Sequence, residues 1–226
     1  IRAEPRLSPD SIVGCPGTQD IGGRIVTNYN GFSLGNTPLE NAFAKSCNTT
    51  FADISTKLKP GELKDISAQL GLGADYDIEG LETITGSVPE GETMLDRTEA
   101  GYGQGLDLAS PFGMALVASA VAAGKAPTPY LIAGENHHTE AKNDEAKKDA
   151  KKKLDPKAIQ ELRRMMRSVV TNGSGSGVAG AGEVYAKTGE AEINEGSHSW
   201  LAGYRGDLAF ATLIVLGGGS EHATSV

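Results

Sequence analysis

Apolar positions recur with helical spacing through the first three quarters of the chain and gather into strand-like runs near its end. The clearest helical pattern follows Asp155-Pro156. Ile159, Leu162, Met166 and Val169 fall on one face, at i, i+3, i+7 and i+10. Asp155 suits the cap, Pro156 suits the first turn, and Asn172-Gly173 marks the end. A second helix is expected after Ser110-Pro111, with Met114, Val117, Ala118 and Val121 toward the core and Gly124 as its stop. Its many alanines suit a central helix packed closely on its neighbours. Shorter helices are expected in three places. One starts near Thr37, with Thr37 as cap and Pro38 in the first turn, and sets Leu39, Ala42 and Phe43 on one face. The next runs from about Thr49 to Leu58, and the third carries Leu63, Ile66 and Leu70 and ends at Gly71.

Three strand signals follow the long helix: Val184–Lys187, Ser199–Tyr204 and Leu208–Leu216. Arg205-Gly206-Asp207 is a tight connector, so the last two strands form a hairpin. Residues 1–36 read as loops with short strands such as Gly23–Tyr29, and residues 72–105 as irregular and acidic. Residues 135–153 are a mixed-charge run ending in three lysines, read as a solvated hairpin or mobile loop with a lesser reading as a docking patch. Helices first and strands afterwards give an α/β mixture of the α+β kind, an antiparallel sheet flanked by helices.

Composition narrows the function classes. The 226 residues are 38% apolar without glycine, 22% charged and 5% aromatic, with 30 glycines, which is globular and not disordered. Net charge is −8, and the excess of acid lies mostly in residues 1–132. An acidic chain with so few aromatics is not expected to bind nucleic acid. No apolar run reaches 18 residues, so nothing here reads as a membrane span. Ile1-Arg2-Ala3-Glu4-Pro5 is neither a signal peptide nor an obvious native start, and the chain reads as a fragment of something longer.

Several candidate motifs carry nothing. Gly175-Ser176-Gly177-Val178-Ala179-Gly180 matches G-x-G-x-x-G, but it follows a helix and precedes a strand, the reverse of a dinucleotide site. His137, His138, His198 and His222 are scattered, and metal binding is not expected. Cys15 and Cys47 match no zinc spacing, and a disulfide or two free thiols both remain open. Asn48-Thr49-Thr50 and Asn172-Gly173-Ser174 are glycosylation triplets by pattern only.

Two short motifs stand out by placement. Lys187-Thr188-Gly189 closes a predicted strand, where its lysine projects from a sheet edge. Ser46-x-Asn48 lies between two predicted helices. In this order they are two of the three motifs of the penicillin-recognising serine enzymes.

Over nearly its whole length the chain resembles the transpeptidase domain of a class B penicillin-binding protein of actinobacterial type. The resemblance rests on Asn41–Ala52 around Ser46-Cys47-Asn48, and on Gly103-Gln104-Gly105 followed by Ser110-Pro111 and an alanine-rich helix. It rests further on Tyr185–Gly189 with Ala191-Glu192, and on His198-x-Trp200. It implies that residues 1–226 are the part of that domain following the nucleophile motif. It also implies a peptidoglycan D,D-transpeptidase that cross-links D-Ala-D-Ala stem peptides through a serine acyl-enzyme and is inhibited by β-lactams. No cofactor is implied.

The resemblance gives each residue a role. Ser46 relays a proton, and Asn48 bonds the substrate backbone. Lys187 supplies positive charge and attracts the substrate's terminal carboxylate. Thr188 binds that carboxylate, Gly189 lets substrate approach the strand, and the backbone N–H of Glu190 is an oxyanion donor. Cys47, His198 and Trp200 read as packing residues or cleft wall. The implied partners are the stem peptide, β-lactam antibiotics, the missing N-terminal part of the same protein, and divisome or elongasome proteins. The implied location is the extracytoplasmic face of the bacterial membrane, with the anchor outside this chain.

Three departures accompany the resemblance. No serine is followed three residues later by lysine, so the nucleophile is expected upstream. Glu190 stands where the family usually has threonine; it either points away or alters ligand preference. The chain stops at Val226, before the helix that usually covers the sheet. Alternatives are a β-lactamase or β-lactam sensor of the same superfamily, and a non-catalytic peptide-binding lobe.

Overall fold

A computed structural model describes residues 7–78, 80–132 and 153–225. The charged run at 135–153 lies almost wholly outside them. Strands β1 (Ile12–Cys15), β2 (Thr18–Ile21), β3 (Arg24–Thr27) and β4 (Gly35–Pro38) form two antiparallel ladders, β1 with β4 and β2 with β3. Helices α1 (Leu39–Ala44), α2 (Asn48–Ser55) and α3 (Glu62–Gln69) follow. Thr37 does not cap α1. Its backbone is taken into the β1 ladder opposite Val13, and its hydroxyl accepts from the Asn41 side chain at 2.8 Å.

The stretch expected to be irregular holds strand β5 (Gly86–Ser87), which pairs with β6 (Leu108–Ala109) just beyond it, and helix α4 (Met94–Ala100). Thr93 and Asp96 close a capping box on α4. That box is a readable start signal, T-x-x-D, in a segment whose apolar periodicity is too weak to announce a helix. Helix α5 (Pro111–Ala123) begins and ends as its sequence indicates: Ser110 accepts from the Gly113 N–H, and Gly124 is left-handed at φ +69°. Its most buried positions are Gly113, Leu116, Ala118, Ala120 and Val121, while Met114 and Val117 are half-buried. A helix apolar all round buries most of its circumference and so has no single core face to read.

Helix α6 (Pro156–Asn172) is capped by Asp155 and buries Ile159, Met165, Met166, Val169 and Val170. The last element is a three-stranded antiparallel sheet, β7 (Tyr185–Ile193), β8 (Gly196–Arg205) and β9 (Leu208–Ile214), in spatial order 7-8-9. Helix α5 packs on β8 and β9, and α6 packs on β7 and on α1. One core joins Val121, Met166 and Tyr204, with Phe43 and Tyr185 at its border; another joins Val170, Val184, Ala186 and Leu201. Strand β7, an edge of the sheet, and α1 thus share α6 as a neighbour, which brings residues near 46 and 187 together.

Candidate active site

Helix α1 ends in a turn that fixes Ser46. The Ser46 N–H donates to Phe43 O at 3.1 Å and the Cys47 N–H to Ala42 O at 2.9 Å, the two bonds of a Schellman termination. The residue just past such a helix end is left-handed and is usually glycine. Here it is Ser46, at φ +60°. A non-glycine residue in that region costs about 1–2 kcal/mol. The next residues cap and open α2, with Asn48 at its first position. The Asn48 side-chain N–H donates to Thr27 O at 3.1 Å, which ties the motif to β3.

The turn is also held from below. Cys15 of β1 and Cys47 form a disulfide, both residues fully buried. Beside it the buried Asn28 accepts from the Thr49 N–H at 3.1 Å and donates to Pro16 O and Phe32 O, each at 2.8 Å. Thr50 donates to Gly14 O at 2.7 Å and Thr49 to Pro16 O at 2.8 Å. Both hydroxyls of the Asn48-Thr49-Thr50 triplet are therefore committed to the fold.

Strand alternation places Lys187 and Gly189 on one face of β7 and Thr188 and Glu190 on the other. Lys187 Nζ donates to Ser46 Oγ at 2.8 Å and to its neighbour's carbonyl, Thr188 O, at 2.9 Å, and lies 5.6 Å from the centre of the Phe43 ring. Burial lowers the Lys187 ammonium from 10.5 to about 8. At neutral pH about a tenth of it is then uncharged, against under a thousandth for a free lysine. Gly189 pairs with Trp200 of β8, and a Cβ there would sit 3.2 Å from the Trp200 Cβ.

On the opposite face Thr188 is 3% exposed, and its hydroxyl shares a 2.5 Å hydrogen bond with Ser174 Oγ. The Glu190 carboxylate points away from Lys187 and accepts from Ser197 Oγ at 2.8 Å, while Gln104 Nε2 donates to Glu190 O at 2.9 Å. His198 Nδ1 accepts from the Leu216 N–H at 3.0 Å, a contact that pins the end of β9.

Ser46 and Lys187 are thus in direct contact, Asn48 stands beside Ser46, and Thr188 is turned inward. Four participants were not legible as such in the sequence. In the sequence Phe43 is only an apolar position on α1. Gln104 is there only one residue of the Gly103-Gln104-Gly105 signature. Ser174 was part of a glycosylation pattern, and Gly173 marked only a helix end. Gly173 is required by close approach: a Cβ there would lie 2.1 Å from Ala44 O, the carbonyl to which the Ser174 N–H donates at 3.0 Å. That contact locks the end of α6 to the end of α1 and so carries Ser174 to Thr188. Among the described residues no group of three or more His, Cys, Asp or Glu could hold a metal ion.

An antiparallel sheet flanked by helices, with a serine on a strained inter-helix turn bonded to a lysine on the sheet's edge strand, defines a mixed α/β domain with the lysine and serine motifs of the penicillin-recognising fold. The chain belongs to the penicillin-binding protein transpeptidase domain family, whose model matches residues 5–224. No curated protein matches it by sequence. Solved structures do match. The D,D-transpeptidase domain of a peptidoglycan glycosyltransferase from Eggerthella lenta superposes with a TM-score of 0.80 at 23% identity, over 96% of this chain and 58% of that one. Penicillin-binding protein A from M. tuberculosis, as its ceftriaxone acyl-enzyme, gives 0.81 at 18% identity, over 97% and 54%. PBP2 from Helicobacter pylori, in complex with MreC, gives 0.78 at 20% identity, over 98% and 44%. The chain spans about half the length of these structures.

Proposed function

We propose that the chain forms the S-x-N and K-T-G part of a peptidoglycan D,D-transpeptidase of class B type, which cross-links D-Ala-D-Ala stem peptides through a serine acyl-enzyme and is blocked by β-lactams. The observation that carries this reading is the 2.8 Å hydrogen bond from Lys187 Nζ to Ser46 Oγ. In the cleft, protonated Lys187 attracts the substrate carboxylate, and the hydrogen-bonded pair passes a proton toward the leaving nitrogen. The Asn48 side-chain oxygen accepts from the substrate amide, and the Glu190 N–H serves as one oxyanion donor. The Thr188 side chain is buried against Ser174, so Lys187 supplies most of the anion binding. The nucleophile belongs to residues outside this sequence, since no serine here has lysine three positions on. The domain then works at the extracytoplasmic face of the membrane, anchored by residues outside this sequence, with the stem peptide as substrate. A divisome or elongasome protein is the class of partner expected, as MreC is for the Helicobacter pylori PBP2 structure.

Fluorescent penicillin labelling of the full-length protein tests the reading. Lys187→Ala is expected to abolish labelling while the fold survives. Asn48→Ala is expected to slow it by about 1–3 kcal/mol of transition-state binding. Wild-type labelling by a folded Lys187→Ala protein sinks the assignment.

A further inference from the structure

At the start of β7 lies a cleft of about 630 Å³. It is lined by guanidinium groups from two elements: Arg163, Arg164 and Arg167 of α6, and Arg205 at the β8–β9 turn. Four arginines converging on one cleft stand out in a chain of net charge −8. Arg164 is already matched, by Asp10 at 2.6 Å and Glu40 at 2.7 Å. The other three bind only backbone carbonyls among the described residues. Arg163 donates to Val121 O and Ala122 O, Arg167 to Val184 O, and Arg205 to Ala181 O. Those contacts fix the three side chains without neutralising them and leave most of their five N–H groups each for another acceptor. Glu183 is the one remaining carboxylate on the lining, and it accepts from the Tyr185 hydroxyl at 2.6 Å.

The floor is aromatic. The Tyr185 and Tyr204 rings stack at 4.8 Å, 3° from parallel. Burial pushes the Tyr204 hydroxyl up to about 12, so it stays a neutral donor. Arg163 and Arg167 are half-buried and Arg205 is exposed; held guanidinium groups of this kind are suited to phosphate or carboxylate oxygens, which they bind in forked pairs. The volume is in the range of small-molecule sites.

We propose that this cleft is a second binding site, separate from the transpeptidase site, for a multiply charged oxyanion bearing phosphate or carboxylate groups. Arg163, Arg167 and Arg205 are the binding cations and the tyrosine pair is the floor. Tyr185 precedes Lys187 by two residues on the same face of β7, so an occupant abuts the strand that carries Lys187.

Isothermal titration of the 226-residue chain with inorganic pyrophosphate, and separately with citrate, tests the proposal. Saturable one-to-one binding that weakens with added salt is expected from at least one of the two. Tighter binding of pyrophosphate identifies a phosphate ligand, and tighter binding of citrate a carboxylate ligand. Arg205→Gln, at an exposed position, and Arg167→Gln should each weaken binding about tenfold. Lys59→Gln, the same loss of charge at an exposed position outside the lining, should leave it unchanged. Circular dichroism confirms that each variant folds, and the exposed Arg205 variant carries the test if Arg167→Gln does not. No saturable binding by either anion at about 10 mM overturns the proposal. So does equal weakening by Lys59→Gln, which marks general charge attraction only.

Discussion

Lys187 reaches Ser46 across 141 residues of sequence, and its ammonium donates to the serine hydroxyl at 2.8 Å. The contact exists because the edge strand β7 and helix α1 share α6 as a neighbour. It comes at a cost in stability. The lysine sits against Phe43, is held near a pKa of 8, and has no carboxylate partner among the described residues to offset its burial.

That cost predicts a pH dependence. In the unfolded chain Lys187 titrates near 10.5 and in the folded chain near 8. Below pH 8 both states carry the proton and the burial penalty is fully present. Between 8 and 10.5 the unfolded state holds a proton that the folded state has shed, so this group makes stability rise with pH. Lys187→Met, which keeps the stem and removes the charge, should therefore stabilise the fold at pH 7 by roughly 2 kcal/mol, allowing for partial solvent screening. The advantage should fade by about pH 10.5. Urea titrations of both proteins from pH 6 to 10.5 measure it; a constant difference across that range contradicts the buried-charge account.

Ser46 offers a second trade between fold and site. At φ +60° it occupies a position that glycine takes without strain. Ser46→Gly should be more stable than Ser46→Ala by about 1 kcal/mol, because alanine keeps the strain and glycine removes it. Both variants should lose penicillin labelling in the full-length protein, since neither offers Lys187 a hydroxyl. Thermal midpoints of the pair decide it. Equal midpoints would mean that the turn relaxes around alanine.

Much of this was readable beforehand, for identifiable reasons. Helix α5 announces itself through Ser110-Pro111 and its apolar content, and α6 through Asp155-Pro156 and its apolar periodicity, because caps and periodicity are local. The β8–β9 hairpin is equally local. Helix α4 is not legible in the sequence because Met94, Leu95 and Thr98 give too sparse a stripe. Thr37 departs from the expected cap because cap chemistry and strand pairing use the same residue, and only the distant β1 decides between them. The resemblance selected Ser46, Asn48 and Lys187. It did not show that Thr188 would turn to Ser174 or Glu190 to Ser197, since these depend on contacts between residues distant in sequence or on adjacent strands.

The disulfide was undecided in the sequence, and its placement gives a third prediction. Cys47 lies between Ser46 and Asn48, and Cys15 anchors it to β1, 32 residues away. Closing a loop of that length contributes about 3–4 kcal/mol by the chain-entropy estimate. Reduction, or Cys15→Ser with Cys47→Ser, should lower the thermal midpoint by several degrees. It should also slow acylation of the full-length protein, because the turn that holds Ser46 loses its covalent support. A reduced protein that labels at the wild-type rate would show that Asn28, Thr49 and Thr50 hold the turn unaided.

The last prediction concerns where acylation can occur. Ser46 has no lysine three residues along the chain, yet it has Lys187 in space. A serine–lysine pair can form a nucleophile when the lysine is neutral and takes the serine proton. Here Lys187 is mostly charged at pH 7 and donates to the oxygen that would have to attack, which lowers the nucleophilicity of that oxygen. The 226-residue chain should therefore form no covalent adduct with benzylpenicillin at pH 7. It should form none at pH 9 either, where Lys187 is largely neutral, if the acylated serine lies outside this sequence. Intact-mass spectrometry at both pH values reads the outcome directly. An adduct of penicillin mass at pH 9 that maps to Ser46 and vanishes in Lys187→Met would make the Ser46–Lys187 pair the nucleophile and overturn its assignment to an external serine.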